Sequence, residues 1–184
     1  MSEILLLRGP PGVGKTSLIL KVIELLEKEK FNIGGMISQE VRENGVRTGF
    51  KIIDIKTGQE GMLASIYQKD GPRIGKYRVN LKDLENIGVK SISNALESVD
   101  LIVVDEIGPM EFFSTNFIEV VKQIAIKRKP MFGTVHSRSR HPIILFLENR
   151  AQIVSITLNN REMLVKSVMP ILRKNLTSKS SQSL

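Results

Sequence analysis

The chain has no cysteine among its 184 residues and only two histidines, His136 and His141. Without thiols there is no disulfide framework, no thiolate nucleophile and no cysteine-based zinc site. Two histidines argue against a histidine-rich metal centre. Aromatic residues make up 5%, too few for the successive stacking platforms that hold single-stranded nucleic acid. No cationic segment precedes the short apolar run at the N-terminus, and that run stops at Arg8, so a signal peptide is not expected. No apolar stretch reaches the roughly 18 residues that a membrane-spanning helix needs. These absences point to a soluble, cytoplasmic protein with no membrane partner.

What is present is basic. Lysine and arginine total 27 against 19 acidic residues, a formal net charge of +8. That balance suits a polyanionic partner, from a nucleotide to RNA. The basic residues are scattered and never form a run of five, so RNA stands as an alternative behind a nucleotide. The length suits one α/β domain, and 41% hydrophobic residues suffice for a core.

Ile4-Leu5-Leu6-Leu7 is an unbroken apolar run, as in a strand buried on both faces. After a glycine-rich loop, Leu18, Val22, Leu25 and Leu26 recur at helical spacing, with Lys21, Glu24, Lys28 and Glu29 opposite. Asn44-Gly45 and Thr57-Gly58 read as turns, and Val46, Phe50, Ile52, Ile53 and Ile55 between them as a small antiparallel meander. The basic segment 67–79 reads as an exposed loop. Asn80 or Asp83 opens a helix ending near Leu96. Residues 101–104, 131–135 and 153–156 read as further buried strands, with a helix marked by Phe117, Val121 and Ile124. Asn159 caps a last helix with Glu162 three positions on, and Pro170 lies inside it. Residues 1–174 form the domain in this reading, and the polar remainder, 175–184, is a disordered tail. Strands alternating with helices predict an α/β fold: a mainly parallel sheet flanked by helices, with ligands at the carboxyl ends of the strands.

Gly9-Pro10-Pro11-Gly12-Val13-Gly14-Lys15-Thr16 fits the phosphate-binding loop pattern G-x4-G-K-[ST] at every position. A loop wraps phosphate only if successive backbone N–H groups turn inward, which glycine dihedrals permit. The helix that follows adds unpaired N–H groups and a positive dipole end. Lys15 is expected to reach the β- and γ-phosphates, and the Thr16 hydroxyl to ligate Mg²⁺. Leu101-Ile102-Val103-Val104-Asp105-Glu106 then places two carboxylates at a strand tip. Asp105 is expected in the Mg²⁺ shell. Glu106 is expected to orient and deprotonate an attacking water; the plainer role is solvation of the strand end or pairing with a cation.

Four segments carry a family resemblance: "GPPGVGKT" near the N-terminus, "RTGFKI" in the meander, "DEIGPME" after the second apolar strand and "TLNNRE" near the C-terminus. In this order and spacing they resemble the archaeal and bacterial nucleoside-triphosphatase family whose human relative is the cancer-related nucleoside-triphosphatase. The likeness spans about residues 3–172. It implies a RecA-like P-loop core with extra antiparallel strands, and Mg²⁺-dependent hydrolysis of ATP, GTP, CTP, UTP and TTP with little base selectivity. It also implies that Gly9 to Thr16 bind the phosphates and that Leu101, Ile102, Val103, Val104, Asp105, Glu106, Ile107 and Gly108 form a second nucleotide-binding segment. Pro109 stands where a lysine is expected in many members, which removes one nearby cation.

Weaker candidates surround this core. Arg138 and Arg140 follow the strand ending at Val135, so one of them is a candidate arginine finger in cis; the alternative is loop surface. Arg47 brings a cation toward the γ-phosphate or lies solvated on a hairpin. Asn160 and Arg161 contact the base or cap a helix. Glu111 senses phosphate or caps the helix after Ser114. Two rival functions stay open: a P-loop kinase for a nucleoside, nucleotide or polynucleotide end, and an RNA-binding protein switched by nucleotide. Oligomeric state is not legible in the sequence.

Overall fold

The computed structural model describes residues 3–177. Its centre is a nine-stranded sheet in the order β5-β6-β4-β3-β2-β7-β8-β1-β9. Five strands form the parallel half: β1 (Ile4–Arg8), β2 (Ile33–Glu43), β7 (Leu101–Ile107), β8 (Met131–Val135) and β9 (Ala151–Ser155). The other four, β3 (Val46–Asp54), β4 (Glu60–Ser65), β5 (Arg73–Ile74) and β6 (Tyr77–Val79), extend it antiparallel from β2. The meander is thus larger than the sequence suggests and continuous with the main sheet.

Alternation along β1 assigns its side chains to two cores. Leu5 and Leu7 pack with Val103, Phe132 and the buried faces of α1 (Lys15–Lys28) and α6 (Arg161–Thr177). Ile4 and Leu6 pack on the opposite face with Ile102, Val104 and Met131. That face is covered by α3 (Lys90–Ser98), α4 (Thr115–Ile126) and α5 (Pro142–Glu148). Each fully buried Leu or Phe here contributes about 1.5–3 kcal/mol over leaving it exposed. α1 is amphipathic: Leu18, Ile19, Val22, Ile23 and Leu26 are buried, while Glu24 pairs in solvent with Lys21 and Lys28.

Several boundaries differ from the sequence reading. Segment 67–79 is not all exposed loop: Tyr77 and Val79 are buried and belong to β6. Asn80 does open a helical stretch, its side chain accepting from the Asp83 N–H. The stretch runs as α2 (Leu81–Asp83), a π-helical segment (Leu84–Val89) and α3, reaching Ser98. β9 lies at the sheet edge and is only half-buried, and α5 has no forecast in the sequence reading. The last helix opens at Arg161, and it is Asn160 whose side chain is engaged, accepting from Thr157 N–H and donating to the Ser155 carbonyl. That helix continues past residue 174 to Thr177, with Asn175 and Leu176 buried. The rest of the expected tail, 178–184, lies outside the described residues. Among the described residues no helix is long and apolar enough to cross a membrane.

Candidate active site

The loop between β1 and α1 is built around two positive-φ glycines, Gly12 at 76° and Gly14 at 104°. Only glycine adopts these angles without steric cost, and they turn the backbone inward to start α1 at Lys15. Gly14 also borders Arg161 at the start of α6, where an added Cβ would lie 3.8 Å from Arg161 Cδ. Lys15 is buried, with its ammonium donating to the Gly9 and Pro10 carbonyls at 3.0 and 3.2 Å. Of the loop residues, Pro11, Gly12, Gly14, Lys15 and Thr16 line the cleft. Val13 is buried in the core instead, against the α1 face.

β8 lies between β1 and β7 in the sheet, so the acidic strand is one strand removed from the phosphate-binding loop. The β7–β8 register shifts between Val104 and Ile107, where Asp105 and Glu106 stand. Leu101, Ile102, Val103, Val104 and Ile107 are fully buried in the core. Of the segment expected to bind nucleotide, only Asp105 and Glu106 line the cleft, and the apolar residues serve to place them.

Asp105 is almost wholly buried, and both its carboxylate oxygens are occupied: Thr16 Oγ1 donates to Oδ2 and Thr134 Oγ1 to Oδ1, each at 2.6 Å. Burial raises its pKa, while the two hydroxyls and the Lys15 charge oppose the rise. The Glu106 carboxylate is 3.8 Å from Lys15 Nζ. Burial is the largest cause raising its pKa, to about 7; Lys15 pulls it down and the neighbouring Asp105 adds to the rise. Glu111 is buried as well, and its pKa is pushed well above the usual carboxylate range, first by burial and then by the Glu106 charge. Both glutamates crowd Gly108: a Cβ there would lie 2.8 Å from Glu106 Oε1 and 3.3 Å from Glu111 Oε2.

The structure therefore brings Lys15, Thr16, Asp105 and Glu106 together at the carboxyl ends of the strands. It does not bring Arg138 or Arg140 to them. Both are exposed on the turn after β8 and outside the cleft lining, while His136 does line it. Burial lowers the pKa of His136, with the charges of Lys15 and Arg138 acting in the same direction. Glu111 does not cap α4; Ser114 does, accepting from the Phe117 N–H. The sequence reading missed Thr134. Its signal is a lone hydroxyl in the apolar strand Met131–Val135, which burial obliges to find a partner.

The cleft itself is about 680 Å³. One side is the phosphate-binding loop with Asp105 and Glu106. The other is an overhang: β2 pairs with β7 only from Ile33 to Ile37, then runs on beside β3 as far as Glu43. Asn44 and Gly45, at φ 49° and 78°, close the hairpin.

Residues 4–169 match a family model described as NTPase. The nucleoside-triphosphatase THEP1 of Methanosarcina acetivorans is 42% identical over 161 residues, covering 87% of this chain and 91% of that one. Its namesake from Thermotoga maritima is 44% identical over 173 residues, covering 93% and 96%. The crystal structure of THEP1 from Aquifex aeolicus superposes with a TM-score of 0.82 at 29% identity, over 92% of this chain and 98% of that one. The solution structure of a human cancer-related nucleoside triphosphatase gives a TM-score of 0.78 at 30% identity, over 95% and 98%. The fold is a P-loop fold, and the chain belongs to the NTPase family, with the nucleoside-triphosphatases THEP1 among its members.

Proposed function

We propose that the chain hydrolyses nucleoside 5′-triphosphates to diphosphate and phosphate, with Mg²⁺ as cofactor and little base selectivity. The observation that carries this reading is the convergence of Lys15, Thr16, Asp105 and Glu106 within one cleft. The residues suit Mg²⁺, a hard cation that takes oxygen ligands and is commonly held by one or two carboxylates besides substrate phosphates. A hydroxyl and a carboxylate oxygen 2.6 Å apart, Thr16 Oγ1 and Asp105 Oδ2, stand at the first turn of α1. These two residues would hold the ion. When bound, Mg²⁺ neutralises charge on the β- and γ-phosphates.

The rest is done by the protein's own groups. Backbone N–H groups of the loop and of the first turn of α1 bind the phosphate oxygens. Lys15 exchanges the Gly9 and Pro10 carbonyls for the β- and γ-phosphates, placing its charge where negative charge develops during transfer. Glu106 accepts a proton from the attacking water. A carboxylate with a pKa near 7 is a stronger base than an exposed glutamate, and that suits the task. Thr134 fixes the second oxygen of Asp105 and so its orientation.

The test is phosphate release from ATP, GTP, CTP, UTP and TTP, with Mg²⁺ and with a chelator. The expected result is chelator-sensitive release from all five, with specificity constants within about tenfold, or 1.4 kcal/mol. A thousandfold preference for one base sinks the unselective reading. No release from any of them sinks the hydrolase.

A further inference from the structure

Hydrolysis uses only one side of the cleft. The overhanging wall carries Ser38, Gln39, Glu40, Arg42, Arg47 and Phe50, with Leu63 and Ile74 also in the lining, and water activation needs none of these. Yet this wall is held in place. Arg47 Nε donates to Tyr77 Oη at 2.9 Å, and Nη1 donates to Glu40 Oε1 at 2.7 Å. The Arg47 guanidinium lies 5.0 Å from the Phe50 ring centroid, and Phe50 meets the Tyr77 ring edge-on at 5.3 Å. The result is a fixed cation–aromatic platform with apolar neighbours. Polar groups set beside apolar side chains can orient a small molecule in such a site.

We infer that this wall is a subsite for a nucleoside, whose hydroxyl takes the γ-phosphoryl group in place of water. The inference rests on the assignment of the opposite side of the cleft to a nucleoside triphosphate. A nucleoside fits the chemistry of the wall. Its flat base suits the Arg47–Phe50 platform and the apolar side chains, and its polar edge suits the amide of Gln39 and the hydroxyl of Ser38. Charge argues against an acceptor that already bears phosphate. The lysine and arginines of the lining are Lys15, Arg42 and Arg47. Lys15 serves the triphosphate, and both guanidiniums are engaged by Glu40, at 2.6 Å from Arg42 Nη2 and 2.7 Å from Arg47 Nη1. Each lining guanidinium thus already carries a carboxylate contact, which weighs against a second phosphate there.

The transfer is the hydrolytic step with one oxygen exchanged. The nucleoside hydroxyl oxygen bonds to the γ-phosphorus, and the bond from that phosphorus to the β–γ bridging oxygen breaks. The nucleoside diphosphate leaves, and the hydroxyl proton passes to the Glu106 carboxylate. The products are a nucleoside diphosphate and a nucleoside monophosphate.

The experiment uses the full chain, Mg²⁺ and ATP labelled at the γ-phosphate, with each common ribo- and deoxyribonucleoside added in turn. Labelled nucleoside monophosphate should appear with at least one nucleoside, and labelled inorganic phosphate should fall as it does. Gln39→Ala and Phe50→Leu, which removes the ring but keeps an apolar side chain, should cut this transfer by roughly tenfold or more, the scale of one lost specificity contact. Both should leave acceptor-free hydrolysis within about threefold, which also shows that they fold. If no nucleoside acquires label while hydrolysis proceeds, the subsite is overturned and the hydrolase stands. If Phe50→Leu instead raises KM for the triphosphates themselves, the platform holds the substrate's own base, and the inference is likewise overturned. If wild-type protein releases no phosphate in the absence of acceptor, the failure belongs to the hydrolase reading.

Discussion

The ammonium of Lys15 stands 3.8 Å from the carboxylate of Glu106, the first group coming from the start of α1 and the second from the end of β7 to meet on one side of the cleft. They divide the labour proposed above. Lys15 meets negative charge on the phosphates; Glu106 takes a proton from the nucleophile. Lys15→Ala should therefore weaken triphosphate binding and nearly abolish turnover together, because its charge is the closest to the transferring group. Near-normal hydrolysis by a folded Lys15→Ala protein would remove the phosphate-binding assignment.

Glu106→Gln should separate binding from chemistry. The amide keeps the size and a hydrogen-bonding tip but accepts no proton. Binding of a non-hydrolysable MgATP analogue, read by calorimetry, should stay within a few-fold of wild type. Single-turnover hydrolysis should fall by about 10²–10⁴, the usual scale for a lost general base. Hydrolysis at the wild-type rate would show that another group activates the water.

Thr134→Val tests the buried end of Asp105. Valine matches threonine in shape but donates no hydrogen bond, so one carboxylate oxygen loses its partner in a fully buried place. Groups that orient a metal-binding residue from behind are worth about 10–100-fold in metal affinity. The Mg²⁺ concentration at half-maximal activity should rise on that scale, and stability should fall by about 1–3 kcal/mol for the unpaired oxygen. An unchanged Mg²⁺ dependence would mean that Thr16 alone orients Asp105.

The parts of this site that follow local rules are the parts that the sequence displays. Gly12, Gly14, Lys15 and Thr16 are neighbours, and their spacing states both the backbone turn and the ligand. Asp105 and Glu106 announce themselves because four apolar residues run into them. The partners that reach across the sheet announce nothing. Thr134 is 29 residues from Asp105 in the chain and meets it only because β8 is inserted beside β7. The same holds for the wall of the cleft. Arg47, Phe50 and Tyr77 read as hairpin and loop residues until β6 folds back on β4 and brings Tyr77 under the platform. Arg138 shows the converse: its position just past a strand tip suggests the cleft, but the turn carries its side chain into solvent.

Glu111 supplies a prediction about stability and pH. Its carboxyl is buried, and its pKa in the folded protein lies well above the ordinary 4.5. Below pH 4.5 both folded and unfolded chains hold this proton, and the residue contributes no slope. Above it the unfolded chain releases the proton while the folded chain keeps it, so the folded state binds more protons and stability falls as pH rises. The fall continues until pH reaches the raised folded value. Asp105 and Glu106 also have raised pKa values and give slopes of the same sign, so the wild-type profile alone does not isolate Glu111. Glu111→Gln does: the carboxamide accepts hydrogen bonds from the same backbone N–H groups, of Gly108 and of residue 111 itself, and it has no proton to lose. Urea unfolding of the two proteins from about pH 5 to 8 should show the variant gaining stability relative to wild type as pH rises. Parallel profiles would show that Glu111 carries no raised pKa, and that its burial is compensated by a partner as strong as a fixed charge.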